Sequence, residues 1–282
     1  MTSKQLVAAL NAGTRANFDH PLRKGNMICL PGPGRVVMSG DLHNHRRNFE
    51  RLIKVAELDA SPRNHLILHE IIHSGEGNSI HCNSYRMVAE GAQLVHRYPG
   101  QVHYMLGNHA MAQISRDEVL KNGQPMVKAL RDGAHHEFGV TADEVLKALD
   151  EFILSMPIAI RTENRIWMSH SLPTKRNLKT FDDGIFNKQL TQMDMNLDPS
   201  LRALCWDRRQ DAEVVETLRG RWDVDHFIVG HQKQETGYGR PHEHMIILAS
   251  DHNHGCCLPF DLGTAYTGDT LADCIKPLAA IA

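Results

Sequence analysis

The chain has 282 residues, 41% of them apolar, and a formal net charge of -2. That length and apolar share allow a sizeable core in one large domain or two small ones. The balanced charge leaves no footprint for duplex nucleic acid, and no apolar run approaches the ~20 residues that a membrane-spanning helix needs.

Residues 1–33 read as a peripheral extension, with a short helix over 4–12 and chain punctuation at Pro31-Gly32-Pro33-Gly34. One domain is expected over 34–282. Residues 35–38 predict a short buried strand that ends at Ser39-Gly40-Asp41, and the spacing of Phe49, Leu52, Ile53 and Ala56 predicts a helix over 49–58. A strand over 65–68, a polar loop over 74–83 and a helix over 85–96 follow. A third strand, over 102–106, ends at Gly107-Asn108-His109. Alternating strands and helices are the signature of an α/β fold. The middle third is mostly helical, most clearly over 142–154, and His135-His136 after Asp132-Gly133 reads as a solvated loop. Strands over 158–160 and 165–168 are expected to pair around a turn at 162–164. Two more are expected over 225–229, ending at Gly230-His231, and over 245–249. His242-Glu243-His244 reads as a polar hairpin, and Cys256-Cys257 as a buried strand end.

Six cysteines (Cys29, Cys82, Cys205, Cys256, Cys257 and Cys274) form no CxxC pair. This pattern argues against a zinc ribbon and for reduced thiols in a cytoplasmic protein. Residues 1–11 lack the apolar core of a signal peptide. The 19 histidines are the unusual feature of the composition, and histidine is a common metal ligand.

Ligand-type residues recur at the predicted strand ends: Gly40-Asp41-Leu42-His43, Glu70, Gly107-Asn108-His109, His170 and Gly230-His231. In open α/β sheets, ligands gather at the carboxyl ends of strands. Hydrolysis of a phosphate ester near neutral pH calls for such a set. Two metal ions ~3.5–4 Å apart can activate a hydroxide and clamp the phosphoryl oxygens, and they need carboxylate, imidazole and amide ligands from several strand ends.

In this order the residues resemble the calcineurin-like metallophosphoesterase superfamily, with the nearest likeness to its phosphoprotein phosphatase branch. The segments from Gly107 to Arg116, from Met156 to Pro173, from Gly230 to Tyr238 and from Ile247 to Gly255 carry the likeness, which spans roughly residues 35–262. The resemblance implies an α/β sandwich of two mixed β-sheets flanked by helices. It also implies hydrolysis of phosphate esters by a hydroxide that two divalent transition-metal ions (Mn, Fe or Zn) activate. Asp41 and His43 would ligate the first ion, Glu70 would bridge, and Asn108, His170 and His231 would complete the second. His109 would be the general acid and Arg208 the phosphate-binding arginine. The partner would be a phosphorylated protein, nucleotide or small ester, and no oligomeric state follows. His252 and His254 fall near the rim of the family's site.

The second motif departs from the pattern. The family's Gly-Asp-x-x-Asp-Arg-Gly reads His69-Glu70-Ile71-Ile72-His73-Ser74-Gly75. Glu70 stands for the bridging aspartate, His73 for the aspartate that orients the catalytic histidine, and Ser74 for a phosphate-binding arginine. Ala110 stands where the family has glutamate. Arg46, Arg47 and Arg209 are candidates to compensate. The same segment matches His-Glu-x-x-His, whose histidines bind zinc from one face of a helix in proteases, with Glu90 as a possible third ligand. A zinc protease and a non-catalytic metal-binding relative are therefore the alternatives.

Overall fold

The computed structural model describes residues 1–74, 81–121 and 123–281. Most of the polar loop expected over 74–83, including Gly75, lies outside them. The strands in chain order are β1 (Arg23–Lys24), β2 (Met27–Leu30), β3 (Arg35–Asp41), β4 (Asn64–His69), β5 (Val102–Met105), β6 (Leu120–Lys121) and β7 (Gln124–Pro125). They continue with β8 (Ala159–Thr162), β9 (Ile166–Ser169), β10 (His226–Val229), β11 (Tyr238–His242), β12 (Met245–Leu248), β13 (Cys256–Asp261) and β14 (Lys276–Pro277). One sheet runs β1-β2-β8-β9-β10-β12-β11, the other runs β14-β13-β3-β4-β5, and β6 and β7 form a separate hairpin. Both large sheets are mixed, as the sequence led us to expect.

The strand period of two divides their side chains between two cores. Val36 and Met38 of β3, Ile67 of β4, Ile228 of β10, and Ile246 and Leu248 of β12 form one cluster between the sheets. Their neighbours Val37, Leu66, Leu68, Phe227, Val229 and Ile247 join the cluster that the helices cover. Each such side chain, fully buried, stabilises the fold by about 1.5–3 kcal/mol. Those strands are therefore nearly continuous apolar runs, buried on both faces.

Helices α1 (Ser3–Phe18), α2 (Arg46–Ala56), α3 (Tyr85–Arg97), α4 (Asn108–Ser115), α5 (Met126–Phe138) and α6 (Ala142–Ser155) precede β8. They are followed by α7 (Lys175–Leu178), α8 (Gln192–Leu197), α9 (Pro199–Trp206) and α10 (Ala212–Trp222). Two regions differ from expectation. Residues 1–33 are built into the fold. Leu6 and Leu10 of α1 are fully buried where it packs on α3 and α6, Asn17 donates to Ser155 Oγ at 2.9 Å, and β2 pairs in parallel with β8. His135 and His136 lie within α5 rather than a loop. Val127, Leu130 and Ala134 bury one helical face there, and that packing outweighs the turn propensity of Asp132-Gly133.

Strands β3, β4 and β5 are mutually parallel neighbours, as are β9, β10 and β12. A parallel bridge from Asp41 to Ala249 joins the two sets. Six carboxyl ends therefore open on one edge of the sandwich. On the opposite edge, at the starts of β4 and β5, the buried histidines His65 and His103 meet His20. No helix among the described residues is long and apolar enough to cross a membrane.

Candidate functional site

The strand ends are bent sharply back. His43 (φ 40), Asn44 (φ 64), Glu70 (φ 37), His73 (φ 65) and His231 (φ 66) all adopt left-handed backbone conformations. Each such residue costs of order 1–3 kcal/mol, and such strain concentrates at functional sites. Two glycines let the backbone come close. A Cβ on Gly107 would lie 2.2 Å from Glu70 Oε2, and one on Gly230 would lie 2.4 Å from Asp41 Oδ1. Any larger residue at either position would push those carboxylates out of place.

The buried floor holds Asn108, His170 and His231. His170 Nε2 is 2.8 Å from Asn108 Oδ1 and 3.1 Å from His231 Nδ1, and His231 Nδ1 is 3.1 Å from Asn108 Oδ1. Glu70 Oε2 is 3.7 Å from His170 Nε2. The far side of the His231 ring fixes its tautomer. Nε2 faces the Trp206 carbonyl at 3.1 Å, which can only accept, so Nε2 carries the hydrogen and Nδ1 is a bare lone pair. A bare nitrogen, an amide oxygen and a second imidazole nitrogen thus crowd one point.

Asp41 and His43 lie beside this group. His43 Nδ1 is 3.0 Å from the Ile72 carbonyl and 3.1 Å from that of His73. Its hydrogen therefore sits on Nδ1, and the bare Nε2 lies 3.9 Å from Asp41 Oδ2. Outer partners of this kind orient metal-binding histidines. Asp41 also accepts the His231 amide, at 3.1 and 3.2 Å. Glu70 accepts the amides of His109 at 2.8 Å and Ala110 at 3.2 Å, at the amino end of α4, where the helix dipole favours an anion.

Burial raises the Asp41 carboxyl to about 7. Burial, and then the charge of Asp41, raises Glu70 to about 8. Burial lowers His43, and also His231, to about 4 and holds His170 well below its ordinary value. Among the described residues, the groups within ion-pair distance of Asp41 and Glu70 are histidines. Two buried carboxylates amid uncharged imidazoles with bare nitrogens form a donor set suited to divalent metal ions. A bound cation would favour ionised carboxylates and use the bare nitrogens.

His109 also lies in this group. Its Nδ1 is 3.0 Å from His73 Nδ1, and His73 Nε2 is 3.4 Å from Gln113 Oε1. If His73 donates to Gln113, its Nδ1 accepts the His109 hydrogen and leaves His109 Nε2 bare. Burial, then His43 and His73, holds the His109 pKa well below its ordinary value. His73 therefore still contacts His109, as the aspartate would, but brings no negative charge.

A cleft of about 610 Å³ opens above, lined by Asp41, His43, Asn108, His109, His231 and Arg208. His252 and His254 lie on its wall. The structure thus brings together every expected site residue, with Glu70 and His170 beneath the cleft. It also adds Lys121, Asp251 and His69, which the sequence does not assign to this site. Lys121, from the β6–β7 hairpin, lines the cleft and meets Asp251 at 3.2 Å. Its charge reaches Asp41, His43, Glu70, His73 and His109. A two-residue strand carries no periodicity from which Lys121 could be found. The third is His69, which with Asp41 and His170 places ligand atoms within 4.8 Å of one another. Its signal in the sequence is the His69-Glu70-x-x-His73 string, which also stands at the glycine that opens the family's second motif. Of the arginines considered as replacements for the clamp, Arg46 is paired with Glu90, and Arg46 and Arg47 line a different cleft with His45.

The protease geometry is absent. His69 ends β4, and residues 70–74 are not helical. His69 and His73 turn to different partners, His170 and His109, and Glu90 is held by Arg46.

No family model matches the chain. A curated relative, a probable serine/threonine-protein phosphatase of Encephalitozoon cuniculi, is 20% identical over 240 residues, covering 79% of this chain and 48% of the relative. The chain thus spans about half the length of the curated relative it matches. A protein serine/threonine phosphatase from Saccharomyces cerevisiae superposes with a TM-score of 0.67 at 11% identity, covering 92% of this chain and 82% of that one. The cold-active protein-tyrosine phosphatase of a psychrophilic Shewanella species gives 0.59 at 16% identity, covering 82% and 76%. The two-sheet architecture is shared with both.

Proposed function

We propose that this chain is a metal-dependent phosphoesterase, a hydrolase of phosphate esters. The observation that carries the proposal is the convergence of Asn108 Oδ1, His170 Nε2 and His231 Nδ1 within 3.1 Å of one another, beside Asp41, His43 and Glu70. Two divalent ions of Mn, Fe or Zn suit this nitrogen and oxygen set. Asp41 and His43 would hold the first ion, Asn108, His170 and His231 the second, and Glu70 both. When bound, the ions would supply a nucleophile near neutral pH and offset charge on the phosphoryl group.

The chain's own residues would do the rest. Arg208 and Lys121, on the cleft wall, would bind the phosphoryl oxygens in place of the arginine replaced by Ser74. His109 would take up a proton at Nε2 and deliver it to the leaving oxygen, while His73 and Gln113 hold its ring. The substrate class is a phosphorylated protein, nucleotide or small ester. The relatives, named as serine/threonine and tyrosine phosphatases, put phosphoproteins first among these. Six free cysteines favour a reducing, cytoplasmic setting.

The test is elemental analysis of protein purified without chelator, joined to a panel of aryl phosphates, nucleotides and phosphopeptides. About two transition-metal ions per chain are expected, with turnover lost to chelator and restored by Mn²⁺. A single zinc that survives Asp41→Asn would overturn the proposal. Full metal occupancy without turnover on any ester would make the chain a non-catalytic metal binder.

A further inference from the structure

His69 occupies the position where the resembling family carries glycine, and it is fully buried. It ends β4 directly across from Asp41 of β3 in the parallel register, and its amide donates to Ser39 Oγ at 3.1 Å. Its imidazole lies between ligands of the two half-sites. Nε2 is 2.8 Å from His170 Nδ1, and Nδ1 is 3.7 Å from Asp41 Oδ1. The ring stands edge-on to His170, with centroids 4.7 Å apart and planes at 90°. It is wedged in place, because a Cβ on Gly230 would lie 2.7 Å from His69 Cε1. His69 Nδ1 has no hydrogen-bond partner among the described residues. A buried polar atom left in that state is costly and calls for a reason.

Proton accounting supplies one. His231 Nδ1 is bare, as argued above. For His170 Nε2 to serve as a ligand beside it, the His170 hydrogen must sit on Nδ1, facing His69. His69 Nε2 must then accept, which moves the His69 hydrogen to Nδ1, on the side of Asp41. At 3.7 Å this is too long for a hydrogen bond, but it turns the positive end of an N–H dipole toward the carboxylate. One imidazole thereby fixes the ligating tautomer of His170 and faces a carboxylate of the other half-site.

We propose that His69 is a positioning residue that ties the two halves of the metal centre together. The proposal rests on the metal-site reading above. The loss of such an outer partner typically weakens metal binding by ~10–100-fold. With His69 replaced, the His170 ring would be free to flip or to change tautomer, and Asp41 would lose its buried neighbour. Glutamine offers an oxygen that can accept from His170 and an N–H₂ group that can donate. Leucine offers neither, but it removes the orphaned nitrogen.

The experiment compares wild type, His69→Leu and His69→Gln by titrating Mn²⁺ and Zn²⁺ into chelator-stripped protein. It reads the affinity and the number of ions bound, alongside the thermal midpoint of each stripped protein. His69→Leu is expected to keep a stripped midpoint at or above that of wild type, bind the same number of ions, and hold them ~10–100-fold more weakly. His69→Gln should recover part of the loss, and it carries the comparison if leucine prevents folding. Wild-type affinity in His69→Leu would overturn the proposal. Saturation one ion below wild type would make His69 a ligand and also overturn it. If wild type itself binds no metal, the metal reading fails first, and this inference fails with it.

Discussion

Buried histidines gather at two opposite edges of the sandwich, one group at the starts of β4 and β5 and one at the carboxyl ends of β3, β4, β9 and β10, and the two groups behave differently. At the amino ends, the Leu22 amide donates to His20 Nδ1 at 3.1 Å. His20 Nε2 then meets His103 Nδ1 at 3.1 Å, and His103 Nε2 meets His65 Nδ1 at 3.2 Å. Each ring accepts on one nitrogen and donates from the other, so the hydrogens run down the row without conflict. At the carboxyl ends, the Trp206, Ile72 and His73 carbonyls pull the hydrogens of His231 and His43 outward, leaving the bare His231 Nδ1 beside Asn108 and His170 and the bare His43 Nε2 near Asp41. Both groups are buried, and in both the pKa values are depressed. Burial of histidine therefore does not mark a metal centre. The mark is bare nitrogens turned inward beside carboxylates, their hydrogens held outward by backbone carbonyls.

The strongest way to break this comparison is to remove a converging donor. Asp41→Asn and His170→Ala should each release metal and cut turnover by more than the ~10–100-fold that an outer partner's loss costs. His103→Asn, at the opposite edge of the sandwich, should leave the metal count unchanged. Elemental analysis of all three variants decides it. Glu70 adds a finer point: Glu70→Gln should weaken both ions, whereas Glu70→Asp should retain them.

The next effect concerns His109, whose ring adjoins the converging group but meets His73 at 3.0 Å rather than a ligand. His109→Ala should keep the ions and lower turnover by ~10²–10⁴, most for esters with poor leaving groups. Equal rates across leaving groups, before and after the change, would remove the acid role.

A smaller effect is expected at Lys121, which is 21% exposed and therefore partly screened. Lys121→Met should raise KM, and the inhibition constant for inorganic phosphate, by about tenfold, equivalent to about 1.4 kcal/mol, with the metal content intact. An unchanged phosphate constant would leave Arg208 as the sole cationic clamp.

The smallest effect sharpens the contrast through pH. Burial first, and Arg23 next, lower the His20 pKa from 6.5 to about 4, and burial lowers His65 and His103 as well. The folded row refuses protons that the unfolded chain accepts below about pH 6.5. Its stability is thus fully present above that pH and is lost as the pH falls toward about 4. Metal-free His20→Asn should show a shallower decline of thermal midpoint than metal-free wild type across this window. Identical slopes would mean that the row does not contribute.

The sequence exposed what depends on local pattern. The apolar runs before Asp41, Asn108 and His231 are true strands, and ligand types follow each one because parallel strands collect their loops at one edge. Other features depend on distant partners. The buried face of α1 includes Gly13 and Asn17, and the burial of Asn17 makes sense only beside Ser155, 138 positions away. His69 reads as half of a protease motif until the strand end places it against His170. The bare nitrogen on His231 follows from the Trp206 carbonyl at the end of α9, and no linear spacing announces it.

The placement of β2 also bears on the order in which the molecule can assemble. Met27 to Leu30 pair with Ala159 to Thr162, so this early strand waits for a neighbour made about 130 residues later. Helix α1 likewise rests on α6, residues 142–155. On the ribosome, the first thirty or so residues emerge long before these partners do, and pairings this far apart in sequence form slowly. The β3–β4–β5 half, with its nearer neighbours, is free to organise first. Closure of the other sheet by β2 then belongs to a late stage of folding, after β8 has left the exit tunnel.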